Sequence, residues 1–423
     1  MKVLVVSHNC FSSSQSMGKT LASLFSCFKK EELMQLYFYP TLPNVDICDD
    51  FFRITDRDIM TSLLHRKKCG RLIDKCQIST DNTLYENNDD QSKYVQIRNA
   101  GQLMRRFRDI LWSVGHWKTD FLKEWLREEK PDVVFYALGD ASFSQNIAMW
   151  IAKFLNIPLV TYVCDEFYFS GKQATFFNRL INFGMLRNLK KTLCSSKYLI
   201  TICDELGERY KSEFGIPYTT IMTGSSFEAG SLPIVEKKNQ ISYIGNLGLN
   251  RWRSLLDIQT AVDEFNENEH MNIELVYYGS ENEHLKGIVK YGGRLDADGV
   301  KTTMAMSKAI IHTESFDPKD IARVKYSVST KIADSLASGT VILAYGPECV
   351  SSMKHLIRNG CAVTITNKAD LNYVLRQAFS DHALRKINVQ NALWTANNYH
   401  ISNVNSECLY NVLKNMISSD VSK

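Results

Sequence analysis

Two hydrophobic periods alternate along the chain. The short apolar runs "VLVV" (3–6), "VVFYA" (133–137), "PLVTYV" (158–163), "YLITI" (198–202) and "TTIM" (219–222) show little polar alternation, the pattern of strands buried on both faces. Around them apolar residues fall at helical spacing: Leu21, Leu24, Phe25 and Phe28 after the first run, Phe121, Trp125 and Leu126 before the second, and Ile147, Met149, Ile151 and Phe154 before the third. Strands alternating with helices predict a parallel sheet covered on both sides. A second series begins at "ISYIG" (241–245) and continues through "IELVYYG" (273–279), "KGIVKYGG" (286–293), "AIIHTE" (309–314), "TVILAYG" (340–346) and "CAVTIT" (361–366). The expected fold is α/β, with two Rossmann-like, doubly wound parallel-sheet domains in series. In such sheets ligands sit at the carboxyl ends of the strands, so chemistry is expected in the loops there.

Between the two series, "GSSFEAGSLPIVEKKNQ" (224–240) is rich in Gly, Ser, Pro and charge and predicts an interdomain linker. The expected division is a first domain over 1–223, a linker over 224–240, a second domain over 241–384 and C-terminal helices over 385–423 that pack back on the first domain. The polar stretch at 79–93 predicts a loop inside the first domain. With 423 residues, 44% of them apolar and 23% charged, the chain has room for two or three cores. A net charge of +4 is too small to argue for wrapping nucleic acid. Eleven cysteines without a Cys-x-x-Cys pair predict reduced thiols in a cytoplasmic protein. The apolar start is too short for a signal-peptide core, and no segment reaches the ~18 apolar residues of a membrane helix, so the chain is expected to be soluble or at most peripheral on the inner face of a membrane.

Two stretches combine glycine, charge and a helix start. In "SYIGNLGLNRWRSLLDI" (242–258) a strand ends at Gly245, Asn246 follows, and Asn250 is placed to cap a helix that carries Arg251 and Arg253 in its first turn. Cations there oppose the helix dipole, a small cost that a bound anion would reverse. Solvated surface arginines are the plainer alternative. In "YSVSTKIADSLASGTVILAYGPE" (326–348), Tyr326, Ser327, Ser329 and Thr330 precede a short helix that Ser329 or Thr330 is placed to cap. Lys331 brings a charge for a phosphate, and Asp334, one turn on, offers an acceptor for ribose hydroxyls or simply an acid that suits the dipole.

Together these stretches resemble the donor domain of the family 4 glycosyltransferases, retaining enzymes of the GT-B fold whose two Rossmann-like domains face each other across a cleft. Gly245, Asn246 and Arg251 occupy the places of that family's glycine-arginine motif. "STKIADSLASG" is similar to a family variant that reads Pro-Ser-Lys and then an acid before Ala-x-Gly. Three positions depart from the pattern: Asn246 stands for the usual arginine, Asp334 for the second glutamate of the family pair, and Tyr326 for the first. The resemblance implies that Gly245, Asn246, Arg251, Tyr326, Ser327, Ser329, Thr330, Lys331 and Asp334 bind a nucleoside-diphosphate-sugar. It also implies that Arg251 and Lys331 stabilise the departing diphosphate. No metal and no separate cofactor is then expected. The "DAD" at 296–298 matches a metal motif only in its letters.

In the first domain, "SSSQSMGKT" (12–20) ends like a phosphate-binding P-loop, but the glycine such a loop carries five positions earlier is Ser13 here. A cleft loop that brings Gly18 and Lys19 toward the donor is the preferred reading. Asp140 and Asp165 each follow an apolar run, where a carboxylate meets an acceptor hydroxyl or caps the next helix. His8 and His312 also follow strands and are weaker candidates, His312 for a sugar site, and Glu314 in "HTESFD" offers the sugar a carboxylate at a spacing that does not fit the family motif. Basic residues mix with apolar ones at 65–71 and in "MRRFRDILWSVGHWK" (104–118), as on a helix face covering a sheet or on a peripheral membrane contact. The expected activity is transfer of a hexose-type sugar from a nucleotide-sugar donor to a hydroxyl of a glycan or lipid-linked glycan, as in surface polysaccharide synthesis, with nucleic acid not a partner. The alternatives are a P-loop-type nucleotide-hydrolysing enzyme and a catalytically silent GT-B scaffold.

Overall fold

The computed structural model describes residues 1–13, 16–65, 69–73, 102–169 and 176–421. The polar stretch at 79–93, Ser14 and Gln15 of the first loop, and 66–68 of the first basic cluster lie outside the described residues. The chain divides into two compact units, one of Met1–Ile221 with Asn403–Lys423 and the other of Met222–Ser402.

Unit 1 is built on an eight-stranded sheet. In chain order its strands are β1 (Val3–Ser7), β2 (Leu33–Tyr37), β3 (Phe51–Arg53), β4 (Arg71–Leu72), β5 (Val133–Ala137), β6 (Leu159–Val163), β7 (Tyr198–Thr201) and β8 (Tyr218–Thr220). They lie in the order β4-β3-β2-β1-β5-β6-β7-β8. Every pairing is parallel except that of β3 with β4. Helices α1 (Ser16–Leu24), α2 (Asp56–Leu64), α3 (Gln102–Val114), α4 (Asp120–Glu129), α5 (Ser142–Leu155), α6 (Phe176–Ser195) and α7 (Asp204–Phe214) connect them. The stripe of Leu21, Leu24, Phe25 and Phe28 is buried as its spacing predicts. The direct neighbour of β1 on one side is β2, the strand that follows α1, which is the order of a dinucleotide-binding sheet.

Three strands of unit 1 were not legible in the pattern, β2, β3 and β4. All five residues of β2 are buried, yet Gln35 interrupts its apolar run. The amide of Gln35 has a local task there. Its Oε1 accepts from Phe11 N at 3.0 Å, and its Nε2 donates to Ser7 Oγ at 2.9 Å and to the Asn9 carbonyl at 3.2 Å. A buried polar side chain thus pins the β1–α1 loop instead of breaking the strand.

Unit 2 carries a six-stranded, all-parallel sheet in the order β11-β10-β9-β12-β13-β14. Its strands are β9 (Lys238–Ile244), β10 (Glu274–Tyr278), β11 (Lys290–Tyr291), β12 (Ser307–Thr313), β13 (Val341–Tyr345) and β14 (Val363–Ile365). "KGIVKYGG" forms only the two residues of β11, because its first half closes a turn in which Ile288 and Val289 both donate to the Leu285 carbonyl. Around the sheet lie α8 (Arg251–Glu269), α9 (Ala297–Met306), α10 (Pro318–Val324), α11 (Lys331–Ala337), α12 (Ser351–Arg358), α13 (Leu371–Ser380) and α14 (His382–Tyr399).

The segment at 224–240 does not stand apart as a linker. Unit 2 already begins at Met222, β9 already begins at Lys238, and Gly230 N donates to the Ala337 carbonyl at 2.8 Å. The C-terminal helices also divide. Helix α14 stays with unit 2, where Asn388 and Asn391 donate to the Gly360 carbonyl. The last helix, α15 (Ser402–Val421), joins unit 1 from Asn403 on, burying Leu409 and Leu413 in the same core as Phe25 and Phe28. The chain therefore leaves unit 1 after Ile221 and returns after Ser402.

Candidate functional site

In unit 2 the carboxyl ends of β9 and β12 and the start of α11 enclose a cavity of about 190 Å³. Arg251, His312, Glu314 and Lys331 line it, together with Asn246, Ser327, Ser329 and Thr330. Local conformation explains how Arg251 gets there. The side chain of Asn246 accepts from Gly248 N at 2.7 Å, and Leu249 and Asn250 then adopt left-handed backbone (φ 55° and 52°) before α8 begins. Asn250 does not cap the helix with its side chain, contrary to expectation. In that conformation its amide reaches Asp320 Oδ2 at 2.8 Å instead. The turn leaves Arg251 pointing across to β12.

There Arg251 meets a carboxylate 63 residues further on. Its Nε and Nη2 lie 2.9 Å and 2.8 Å from Glu314 Oε2. The Glu314 side chain is only 3% exposed, so this is a buried, charge-assisted pair. Burial pushes the Glu314 carboxyl above its ordinary range, and Arg251 and Lys331 partly offset that. His312 is pushed down to about 3 by burial and by the same two cations, so its imidazole is neutral. Lys331 is lowered to about 8, first by desolvation of its ammonium and then by Arg251. With a neutral histidine, the four groups carry one net positive charge, a small field suited to an anion.

Gly245 is where this arrangement needs a missing side chain. A Cβ there would fall 2.5 Å from Lys331 Nζ, so the ammonium lies directly over the glycine. The neighbour is the end of a flexible chain and can move. Gly245→Ala is therefore expected to fold with a melting temperature within about 3 °C of the parent while displacing Lys331 and weakening anion binding roughly tenfold, the scale of one charge-assisted contact. Calorimetric titration beside a thermal melt checks both halves.

The remaining second-domain residues divide. Ser329 and Thr330 border the cavity, but neither caps α11 through its side chain. Thr330 is helical (φ −59°, ψ −21°), and Ser329 N is held by Ser352 Oγ at 3.1 Å. Tyr326 does not line the cavity and lies beneath the Lys325 ammonium, 5.6 Å from its ring centre. Asp334 is also outside the lining. Its Oδ1 accepts from Ser225 Oγ, Ser226 N and Ser226 Oγ at 3.1, 2.7 and 2.8 Å. Arg253 turns away over the Trp252 ring. Asp296 caps α9 through Gly299 N, and among the described residues no three His, Cys, Asp or Glu side chains converge as a metal site requires.

Unit 1 contributes separate candidates. Gly18 is buried, and a Cβ there would lie 2.5 Å from the Cys10 carbonyl, so its close approach is to the chain's own backbone. Lys19 is exposed on α1. Asp140 pairs with Arg105 Nη1 at 2.8 Å, and its carbonyl accepts from Arg106. Asp165 is exposed after β6, while Glu166 is buried and accepts from Phe169 N. His8 is packed between Phe38, Tyr39 and Phe143 and is pushed down to about 4, by burial first and then by Arg108. Helix α3 exposes Met104, Phe107, Ile110 and Val114, each more than half accessible.

No protein-family model matches the chain, and no curated protein sequence matches it. Solved structures do. A trehalose 6-phosphate synthase from Burkholderia multivorans aligns over 100% of this chain and 98% of its own, with a TM-score of 0.60 and 10% identity. The fold is GT-B. A sucrose-phosphate synthase from Thermosynechococcus elongatus covers 99% of this chain and 100% of its own at TM-score 0.59 and 10% identity. HepE of Anabaena, solved in complex with UDP, covers 98% and 100% at TM-score 0.58 and 11% identity. At such identities the likeness concerns the GT-B architecture of two parallel-sheet units.

Proposed function

We propose that this chain transfers a hexose-type sugar from a nucleoside-diphosphate-sugar to a hydroxyl of a glycan or lipid-linked glycan. The observation that supports it most is the convergence of Arg251 and Lys331 on one cavity at the carboxyl edge of the second sheet. The GT-B neighbours include synthases described as UDP-forming and a protein solved with UDP, which makes a uridine donor the first to try.

In this reading Arg251 and Lys331 hold the diphosphate. As the bond at the anomeric carbon breaks, negative charge grows on the departing phosphate oxygen, and two cations fixed beforehand lower the energy of that state more than that of the intact donor. Asp334 Oδ1 is taken by Ser225 and Ser226, which leaves Oδ2 for ribose hydroxyls. Retention of anomeric configuration, membership of family 4 and a metal-independent mechanism belong to the same proposal, as do a cytoplasmic site and a role in polysaccharide synthesis. The acceptor carboxylate would come from Asp140 or Asp165. A screen of UDP-, GDP- and ADP-sugars for a rise in melting temperature tests the donor half directly. A flat response to every donor refutes it.

The lipid-linked form of the acceptor draws on α3. Its exposed Met104, Phe107, Ile110 and Val114, with Arg105 among them and Arg57 exposed on α2, suit an anionic bilayer surface. Co-sedimentation with phosphatidylglycerol vesicles is expected, and Phe107→Asp with Ile110→Asp should reduce it at least about tenfold, given the cost of placing charge in the interface. Equal recovery of both proteins would favour a soluble glycan acceptor.

A further inference from the structure

The cavity of unit 2 contains an element that a diphosphate does not account for. The His312 ring is nine-tenths buried, and its Nε2 is sealed from solvent without a hydrogen-bond partner. It lies 3.6 Å from Glu314 Oε1, just beyond hydrogen-bonding reach. The other oxygen of that carboxylate, Oε2, is engaged by Arg251. Both residues line the same cavity, and the two atoms stand at a separation that neither closes by itself.

Chemical class follows from the donor and acceptor inventory. A phosphate oxygen is only an acceptor and is repelled by a carboxylate, so Glu314 Oε1 is a poor neighbour for it. A hydroxyl both donates and accepts. Set beside these atoms, it would donate to Glu314 Oε1 and accept from His312 Nε2–H, the tautomer that a neighbouring carboxylate favours. A buried ring nitrogen without a partner is otherwise a standing cost to the fold.

We propose that His312 and Glu314 form a hydroxyl-reading subsite for the sugar of the donor, next to the cations that hold the diphosphate. This rests on the donor reading above and extends it: Arg251 and Lys331 bind what all nucleotide-sugars share, and the His312–Glu314 pair distinguishes one sugar from another. His312 is neutral, so it selects by hydrogen bonding and shape. A site built to satisfy a hydroxyl discriminates strongly against a ligand that lacks it, because its own buried groups are then left unpaired.

The test compares UDP with UDP-glucose by calorimetric titration, using GDP or ADP pairs where the donor screen selects another base. The parent protein is expected to bind the nucleotide-sugar more tightly than the nucleoside diphosphate. His312→Phe keeps ring shape and removes the nitrogens; it should lose roughly tenfold in nucleotide-sugar affinity, the scale of one buried hydrogen bond, with the nucleoside diphosphate unchanged within about twofold. His312→Gln keeps an N–H donor and should recover most of the loss. Equal losses for both ligands, or no loss for either, overturn the subsite. Should the Phe variant not fold, deoxyfluoro analogues of the sugar titrated into the parent and into His312→Gln give the same answer: one ring position must be costly to substitute, and none costly is a refutation. A parent that binds no nucleotide-sugar refutes the function itself, a result distinct from either outcome at His312.

Discussion

Arg251→Ala should abolish most activity, lowering kcat/KM for donor transfer by about two to three orders of magnitude, the loss seen when one preorganised charge-stabilising donor is removed. Two effects add. The first is catalytic, because the guanidinium is one of two cations facing the departing diphosphate in the proposed reaction. The second is structural: its Nε and Nη2 hold Glu314 Oε2, and removing them leaves a carboxylate that is 3% exposed without its counter-charge. Breaking a buried pair from one side typically costs about 3–5 kcal/mol, enough to lower the melting temperature of unit 2 visibly.

The two effects can be separated by choice of variant. Arg251→Lys keeps a cation but cannot grip one oxygen with two nitrogens, so stability should be largely retained while turnover falls. Arg251→Met with Glu314→Gln removes both charges and should recover stability without activity, since an uncharged pair of similar volume is often neutral to the fold. Near-parental transfer by Arg251→Ala, measured as nucleotide release with the best donor from the screen, would remove this residue from the site.

Continuous apolar runs made most strands legible. "VVFYA" and "TVILAYG" each lie between two paired strands, where both faces are buried and no polar alternation is needed. The strands missed are those whose sequences answer to something local. β2 carries Gln35 because the β1–α1 loop needs its amide, and β3 ends in Arg53, whose guanidinium donates to the Thr41 carbonyl. The starts of α8 and α11 fall where the sequence predicts them, but neither carries the predicted side-chain cap. A capping side chain requires extended backbone before the helix, whereas Asn250 is left-handed and Thr330 helical. Arg251 and Lys331 stand where the sequence places them in the fold, each as the first residue of a helix. What spacing could not show was their company: Glu314 lies 63 residues from Arg251 in sequence, and only the pairing of β9 with β12 brings them together. His312 and Glu314 stand next to a strand end with no motif of their own, so their cooperation is a property of the fold.

Mild acid should weaken unit 2 before most of its carboxylates titrate. Three of its histidines, His312, His355 and His400, are buried and held below the usual value of 6.5. Burial is the first cause in each. For His312 the adjacent cations are Arg251 and Lys331, and for His355 they are His400, when protonated, and then Arg358. His400 Nε2 lies 3.1 Å from His355 Nε2, and its Nδ1 lies 2.8 Å from the Thr223 carbonyl; that bond and Asp334 only partly restore its basicity. The sign follows from linkage. Below pH 6.5 the unfolded chain binds protons that the fold refuses, in the case of His312 and His355 down to about 3, so stability is full above 6.5 and is lost as pH falls through that window. Each such histidine contributes a slope of about 1.4 kcal/mol per pH unit once the unfolded form is protonated, so His312 and His355 together withdraw roughly 4 kcal/mol by pH 5. Scanning calorimetry from pH 7.5 to 5 should show a falling melting temperature, and His355→Gln, which removes one titrating ring beside His400, should flatten the fall. A melting temperature constant between pH 7 and 5 would mean that these rings take up protons in the folded state and that the neutral His312 required for hydroxyl recognition is not maintained there.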